Sequence, residues 1–296
     1  MIYSVRHRSS YAYQETVDLS YHLLHLTPRD LPFQRVIDAS IRASPEAQAV
    51  SHGVDYFGNG ISFLSLARPH DHLVIDMTAR VEVTARPPLV AEKTPPWEEV
   101  REALGGGGGP GGEGPETVAA AEFANDSPLV SASSEFAAYA APSFPPGRPL
   151  LEAVLDLTQR IHHEFTFDPR ATELTTPLSE ILERQRGVCQ DFAHAEMAAL
   201  RSIGLAARYV SGYIRTYAPT GRARLVGADA SHAWVSVFCP GLGWIDVDPT
   251  NNMVVGEEHI VLAWGRDYAD VSPVRGVVLG SGDHTLSVSV DVASMD

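Results

Sequence analysis

The chain is poor in cysteine: two in 296 residues, at positions 189 and 239. So small a number builds no disulfide framework, and the wide separation makes no metal-binding pair. Long apolar runs are missing too, which leaves nothing long enough to cross a bilayer. The opening residues, Met1 to Tyr11, lack the apolar core of a signal peptide. Positive charge is scarce, with 22 basic against 37 acidic residues and a net charge of −15. That balance argues against a nucleic-acid or anionic-membrane partner. A reducing cytoplasm is the expected location. What remains is a globular composition, long enough for one large or two ordinary domains.

From Ile2 to about Ala85 the pattern is two-fold. Tyr3, Val5 and His7 alternate with Ser4, Arg6 and Arg8, and Val81 and Val83 alternate with Arg80, Glu82 and Thr84. Short strands broken by Thr27-Pro28-Arg29 and Asp55-Tyr56-Phe57-Gly58-Asn59-Gly60 predict an antiparallel sandwich over residues 1–86. His70-Asp71-His72 has no third ligand in view and reads as solvated turn residues rather than a metal site. Residues 87–120 hold two Pro-Pro pairs and a five-glycine run from Gly105. They are expected to be a flexible linker with a short helix at Trp97–Leu104; no Lys-Ser/Thr follows the glycines, so a phosphate cradle is not indicated. Residues 121–296 are expected to hold an α+β core and a β tail with Leu286, Val288, Val290 and Val292 alternating. The sequence does not say which sheet the tail joins.

Within that core, Gly187 to Gly204 reads as a helix opening on a cysteine. Phe192, Ala195, Ala199 and Ile203 form an apolar stripe, and Gly204 supplies the stop. Cys189 falls in the first turn, where free N–H groups and the helix dipole favour an anion. Farther on, two strands around Cys239-Pro240-Gly241-Leu242 form a hairpin. His232, Trp234, Ser236 and Phe238 share one face of the first strand; Trp244, Asp246 and Asp248 share one face of the second. His232 and Asp248 are expected roughly opposite each other at the ends away from the turn. If the start of the cysteine helix packs there, the three groups make a nucleophile, a base and an orienter.

Each role has rivals. Cys239 ends a strand without a helix dipole and reads as structural. His194 lies on another face of the helix from Cys189 and suits packing or a structural hydrogen bond. Asp246 is the second choice for orienter. Asp191 is a dipole partner whose charge would oppose a thiolate. Trp234 suits either shielding of the imidazole or ordinary sheet packing. His162 and His163 are expected to cap the end of the helix before them.

Gly187-Val188-Cys189-Gln190-Asp191-Phe192-Ala193-His194, Ser231-His232-Ala233-Trp234-Val235 and Trp244-Ile245-Asp246-Val247-Asp248-Pro249-Thr250-Asn251 resemble the bacterial transglutaminase-like superfamily, in its order Cys, His, Asp. The stretch from Gly204 to Tyr213 matches as well. His7, Leu26-Thr27-Pro28-Arg29, Asp55 to Asn59 and Pro69-His70 resemble the β-rich region found ahead of this core, and Asp267 to Pro273 matches its tail. The resemblance implies a papain-like core and maps a triad onto Cys189, His232 and Asp248. Animal transglutaminases also carry a tryptophan upstream of the nucleophile that helps hold the oxyanion. None lies between Trp97 and Cys189 here. The Cys189 N–H, with Gln185 or Gln190, is the substitute candidate.

The expected activity is thiol-dependent acyl transfer on a peptide or glutamine-type carboxamide through an acyl-thioester, with no cofactor and no metal. Hydrolysis is preferred, since no calcium-loop pattern is present. The alternatives are transfer to an amine co-substrate and a non-catalytic binding module on the same fold. The β-rich region is free to guide substrate, cover the core or mediate oligomers.

Overall fold

The computed structural model describes residues 1–106, 114–216, 231–280 and 282–295. Most of the glycine run, from Gly107, lies outside the described residues, as does all of the Thr216–Arg224 loop except Thr216. Among the described residues, no helix is long and apolar enough to cross a membrane.

The two-fold pattern at the start of the chain becomes a sandwich of two four-stranded antiparallel sheets. One runs in the order His284–Ser294, Ile2–Val17, His70–Val83, Gln34–Ser44; the other runs Val274–Leu279, Leu19–Leu24, Gly60–Leu66, Ala49–Val54. Alternation decides what is covered: Tyr3, Val5, His7 and Ser9 point inward, as do Leu73, Ile75, Met77, Ala79, Val81 and Val83 on the neighbouring strand. His70 opens that strand on its inward face and is buried, donating from Nδ1 to the Arg68 carbonyl at 2.8 Å, so it is no solvated turn residue. His72 and Asp71 are exposed and paired with each other.

The sequence-based division groups the tail with the core, but its strands complete the sandwich. Val292 pairs with Val5 and Val274 with Leu24, which covers edges that 1–86 alone would leave open. Only Val290 and Val292 are buried; Leu286 and Val288 are exposed despite the alternation. The stretch read as a linker is also more ordered than expected. Its described part forms helices at Trp97–Leu104 and Pro115–Ala121, which bury Val100, Ala103, Leu104 and Ala120.

The remainder is α+β: a cysteine-bearing helix, Cys189–Ser202, packed on a five-stranded antiparallel sheet. Strand order is Met253–Val254, Gly243–Asp248, Ser231–Cys239, Ala207–Ile214, His259–Gly265. The expected single stripe understates this helix, since every residue from Asp191 to Arg201 is buried. Four alanines let the sheet approach closely on one side, while helices Ser134–Ala140, Leu150–Glu164 and Leu178–Arg184 pack around the others. Its buried polar groups are mostly answered internally, Glu196 Oε2 having no hydrogen-bond partner among the described residues. Arg201, for example, donates to the carbonyls of Phe123, Ala207 and Arg266 and to Ser127 Oγ.

Sandwich and core are joined by the motif residues of the first region. Asn59 Nδ2 donates to the Trp264 carbonyl and its Oδ1 accepts the Trp264 N–H; Arg29 hydrogen-bonds to Asn59 and stacks on the Trp264 ring at 3.5 Å. Gln34 pairs by both its amide atoms with the backbone of Val261. Tyr213 of the core shares a 2.9 Å hydrogen bond with Nδ1 of His7 in the sandwich. The Trp264 and Val261 contacts fix the far edge strand of the core sheet, His259–Gly265, and that of Tyr213 the strand next to it.

Candidate active site

Cys189 is the first residue of its helix and is half-buried. Val188 precedes it in extended backbone and has no side-chain acceptor, so the helix start is capped from inside. Asp191 Oδ2 reaches back to accept the Val188 N–H at 2.8 Å and the Thr172 hydroxyl at 2.6 Å. Burial raises the Asp191 pKa, offset by those two hydrogen bonds. Asp191 thus serves as a cap, a geometry its position in the first turn only hints at. Gly187 is what permits it: a Cβ there would lie 2.4 Å from Asp191 Oδ2.

Of the two glutamines, Gln185 ends the preceding helix in left-handed backbone (φ 48°), and its carbonyl accepts the Thr166 N–H. Gln190 follows the cysteine and is half-buried. Neither side chain has a hydrogen-bond partner among the described residues. The N–H groups of Cys189 and Gln190 likewise have no acceptor there, as expected for the first turn of a helix.

His232 lies on the adjacent strand. Its Nε2 is 2.7 Å from Asp248 Oδ2, and the Cys189 thiol is near enough to act on the imidazole's titration. The hairpin register pairs Val235 with Val247 and Ser236 with Asp246. Asp248 therefore stands opposite Trp234, and His232 meets it diagonally, two residues farther along, rather than directly across. Burial works to lower the His232 pKa, but Asp248 and Cys189 win and raise it to about 10. Asp248 is fully buried. Desolvation would raise its pKa, but hydrogen bonds from His232, His259 and Asn251 bring it well below the usual carboxylate range.

The other sequence candidates go elsewhere. Asp246 forms a 2.9 Å ion pair with Arg86. His194 accepts the Tyr268 N–H at Nε2. His162, in the last turn of its helix, hydrogen-bonds to the Thr250 carbonyl. Cys239 is buried, and desolvation pushes its pKa up to about 11. Trp234 is fully buried, its ring centroid 6.1 Å from His232.

Two residues at this site were not singled out from sequence. Asn251 donates from Nδ2 to Asp248 Oδ2 at 2.7 Å, and His259 shares a 3.2 Å hydrogen bond with the same oxygen. His232, Asp248 and His259 place ligand-type atoms within 4.8 Å of one another. The spacing is that of hydrogen bonds, and His259 Nδ1 lacks the acceptor that usually backs a metal-bound imidazole.

Beneath Cys189, two turns along the helix, Glu196 is fully buried and accepts the Thr158 hydroxyl at 2.7 Å. Desolvation pushes its pKa up to about 8; the Thr158 bond pulls it down, and Asp248 adds to the rise. The folded state therefore keeps a proton that the unfolded chain releases near pH 4.3. Stability should fall as pH rises from about 4.3 through about 8, by an amount on the order of a few kcal/mol. Glu196→Gln should flatten that slope in urea unfolding at pH 5 and pH 8; equal slopes would refute the assignment.

A cysteine helix on an antiparallel sheet, behind a β-sandwich, defines a transglutaminase-like fold. Residues 3–82 match the bacterial transglutaminase-like N-terminal region, and residues 138–249 match the transglutaminase-like superfamily. A protein of Mycobacterium tuberculosis is 39% identical over 302 residues, covering 99% of this chain and 93% of its own length. The chain belongs to the transglutaminase-like superfamily. A protein-glutamine gamma-glutamyltransferase of Pseudomonas aeruginosa is 37% identical over 135 residues, 41% of this chain but 20% of that protein. A solved structure from Cytophaga hutchinsonii, provisionally described as a cysteine protease, superposes with a TM-score of 0.74 at 19% identity. It covers 100% of this chain and 91% of that one, a likeness of fold.

Proposed function

We propose that the protein is a thiol acyl-transfer enzyme acting on peptide or glutamine-type carboxamide bonds, with a preference for hydrolysis. The observation that carries this is one imidazole hydrogen-bonded to a buried carboxylate, with a thiol at the start of a helix close enough to raise its pKa. Cys189 Sγ attacks the carbonyl carbon, and its proton passes to His232. The backbone N–H groups of Cys189 and Gln190 are the oxyanion donors. His232 then gives its proton to the leaving amine as the C–N bond breaks, leaving an acyl-thioester. Water, deprotonated by His232, attacks the thioester, releases the acid and returns the thiol. Asp248 orients the imidazole throughout.

The preference for water carries forward the expectation from sequence, where no calcium-loop pattern is present. Trp97 packs on Phe144, Trp234 lies beside His232 and His259, Trp244 meets Phe238 and Arg208, and Trp264 meets Arg29 and Arg208. Of these, Trp234 is the indole beside the proposed site, against the imidazoles of His232 and His259. The Pseudomonas relative favours the second reading, transfer to an amine. A glutamine-containing peptide incubated with a labelled primary amine separates the two. Release of free acid or ammonia without label, lost in Cys189→Ala, is the expected result. Label incorporation would establish the transferase instead, and neither reaction on any peptide tried would favour a binding module.

A further inference from the structure

Asp248 holds more partners than a triad carboxylate requires. Oδ1 accepts the N–H groups of Thr250 and Asn251 at 2.9 and 3.2 Å, and Oδ2 meets His232 Nε2, Asn251 Nδ2 and His259 Nε2. The last of these comes from the far edge strand of the sheet, with another strand between it and that of His232. His259 is fully buried and packs edge-on against Trp234, ring centroids 5.2 Å apart. Its Nδ1 has no hydrogen-bond partner among the described residues. A hydrogen on Nδ1 would be a buried donor with no acceptor and would turn the Nε2 lone pair towards the carboxylate. The ring hydrogen therefore belongs on Nε2, where it is donated to Asp248.

We infer that His259 is a positioning residue, whose Nε2–H fixes the Asp248 carboxylate so that His232 presents Nδ1 to the Cys189 sulfur. The inference rests on the acyl-transfer reading above and adds a fourth member to its machinery. Two neighbours hold the donor in place. Trp234 blocks rotation of the His259 ring on one side, and the docked sandwich, through Gln34 and Val261, fixes the strand that carries it. The β-rich region thus acts on the catalytic carboxylate without touching substrate. Other groups that interact with Asp248 are His232 and Asn251 from its own side of the sheet and, from the helix, the carboxyl of Glu196.

Asparagine and glutamine separate the two ring nitrogens. A Gln amide nitrogen falls near the Nε2 position, whereas an Asn amide nitrogen reaches only the Nδ1 position. Both replacements are polar and smaller than histidine, so both perturb packing to a similar degree. The measurement is the rate of iodoacetamide alkylation of Cys189 against pH in the full-length chain, with folding checked by circular dichroism and thermal melting. With the His259 donor gone, Asp248 takes up a proton at higher pH and releases the imidazole. His259→Asn should therefore move the acid limb of the profile up by about one pH unit, while His259→Gln stays within a few tenths of a unit of the natural protein. A merely structural role would lower the melting temperature of both variants and leave the limb in place. Superimposed acid limbs for both variants and the natural protein would overturn the inference. If the natural protein alkylates no faster than free cysteine, and His232→Ala leaves that rate unchanged, the acyl-transfer reading itself fails and the inference falls with it. Should His259→Asn not fold, His259→Gln alone decides: a limb displaced by a full unit, despite the retained donor, would overturn it.

Discussion

Asp248→Asn should lower turnover by about 10⁴-fold, the scale of loss expected when a triad carboxylate becomes an amide. The carboxylate accepts five hydrogen bonds and donates none. An amide in its place turns an NH2 group towards donors on one side. To relieve that clash, His232 must move its proton off Nε2 onto the nitrogen that faces the sulfur, where it can no longer accept from the thiol. Peptide hydrolysis at saturating substrate, set against active-site titration, is the measurement; turnover within tenfold of the natural protein would refute the assigned role. The same change should reshape stability against pH. The His232 pKa is raised above its unfolded value, so its contribution is full below about pH 6.5 and fades as pH rises through about 10. That of Asp248 is depressed, so its contribution is present above about pH 3.9 and is lost as pH falls through the folded value. The acid limb should vanish in the Asn variant, which has no carboxyl there to titrate. The alkaline limb should shrink, because Asp248 is the largest of the groups that raise the His232 pKa.

Gly212→Ala should be the most damaging single methyl in the core sheet. Gly212 pairs with His232 on one side and Val261 on the other. A Cβ there would stand 2.2 Å from the Ile260 carbonyl oxygen and 2.4 Å from the Trp234 ring. One obstacle is backbone and the other a fully buried indole, so neither yields without parting the strands. A loss of about 3 kcal/mol or more is expected in denaturant unfolding, at the upper end of overpacking effects. The displaced indole is the one that braces His259, so alkylation of Cys189 should slow in whatever fraction still folds. Gly256→Ala, with nothing within 4 Å of the added carbon, is the matched control and should change stability by less than about 0.5 kcal/mol. Comparable losses in the two variants would refute the steric account.

How legible the site was depended on how far each relation reaches along the chain. Cys189 is marked by local signals, a glycine before it and an alanine-rich helix after it. His232 and Asp248 are marked by a hairpin whose two strands are separated by a short turn. Even there, the diagonal offset was hidden, because alternation gives the face a residue occupies and the turn alone sets the register. His259 carried no signal of this kind. Nothing in the spacing between it and Asp248 shows that two strands and a bare glycine let an imidazole reach that carboxylate. Asp191 was visible as a first-turn acid, but its role as a cap depends on Gly187 making room. The Cys189 helix misled for a physical reason. Stripe analysis assumes solvent on one side, whereas this helix is buried from Asp191 to Arg201. It holds Asp191, His194 and Arg201 by internal hydrogen bonds and Glu196 by keeping its proton.

The edge strand contributed by the tail has a consequence for how the molecule comes into being. Tyr3 lies opposite Ser294, and the Met295 N–H donates to the Ile2 carbonyl. On the ribosome, the strand Ile2–Val17 must therefore wait, one flank bare, until the distant strand His284–Ser294 has emerged. Closure of so wide a loop is slow, and an unpaired flank invites pairing with another nascent chain. Holding back His284–Ser294 during synthesis should leave a sandwich that associates with its own kind.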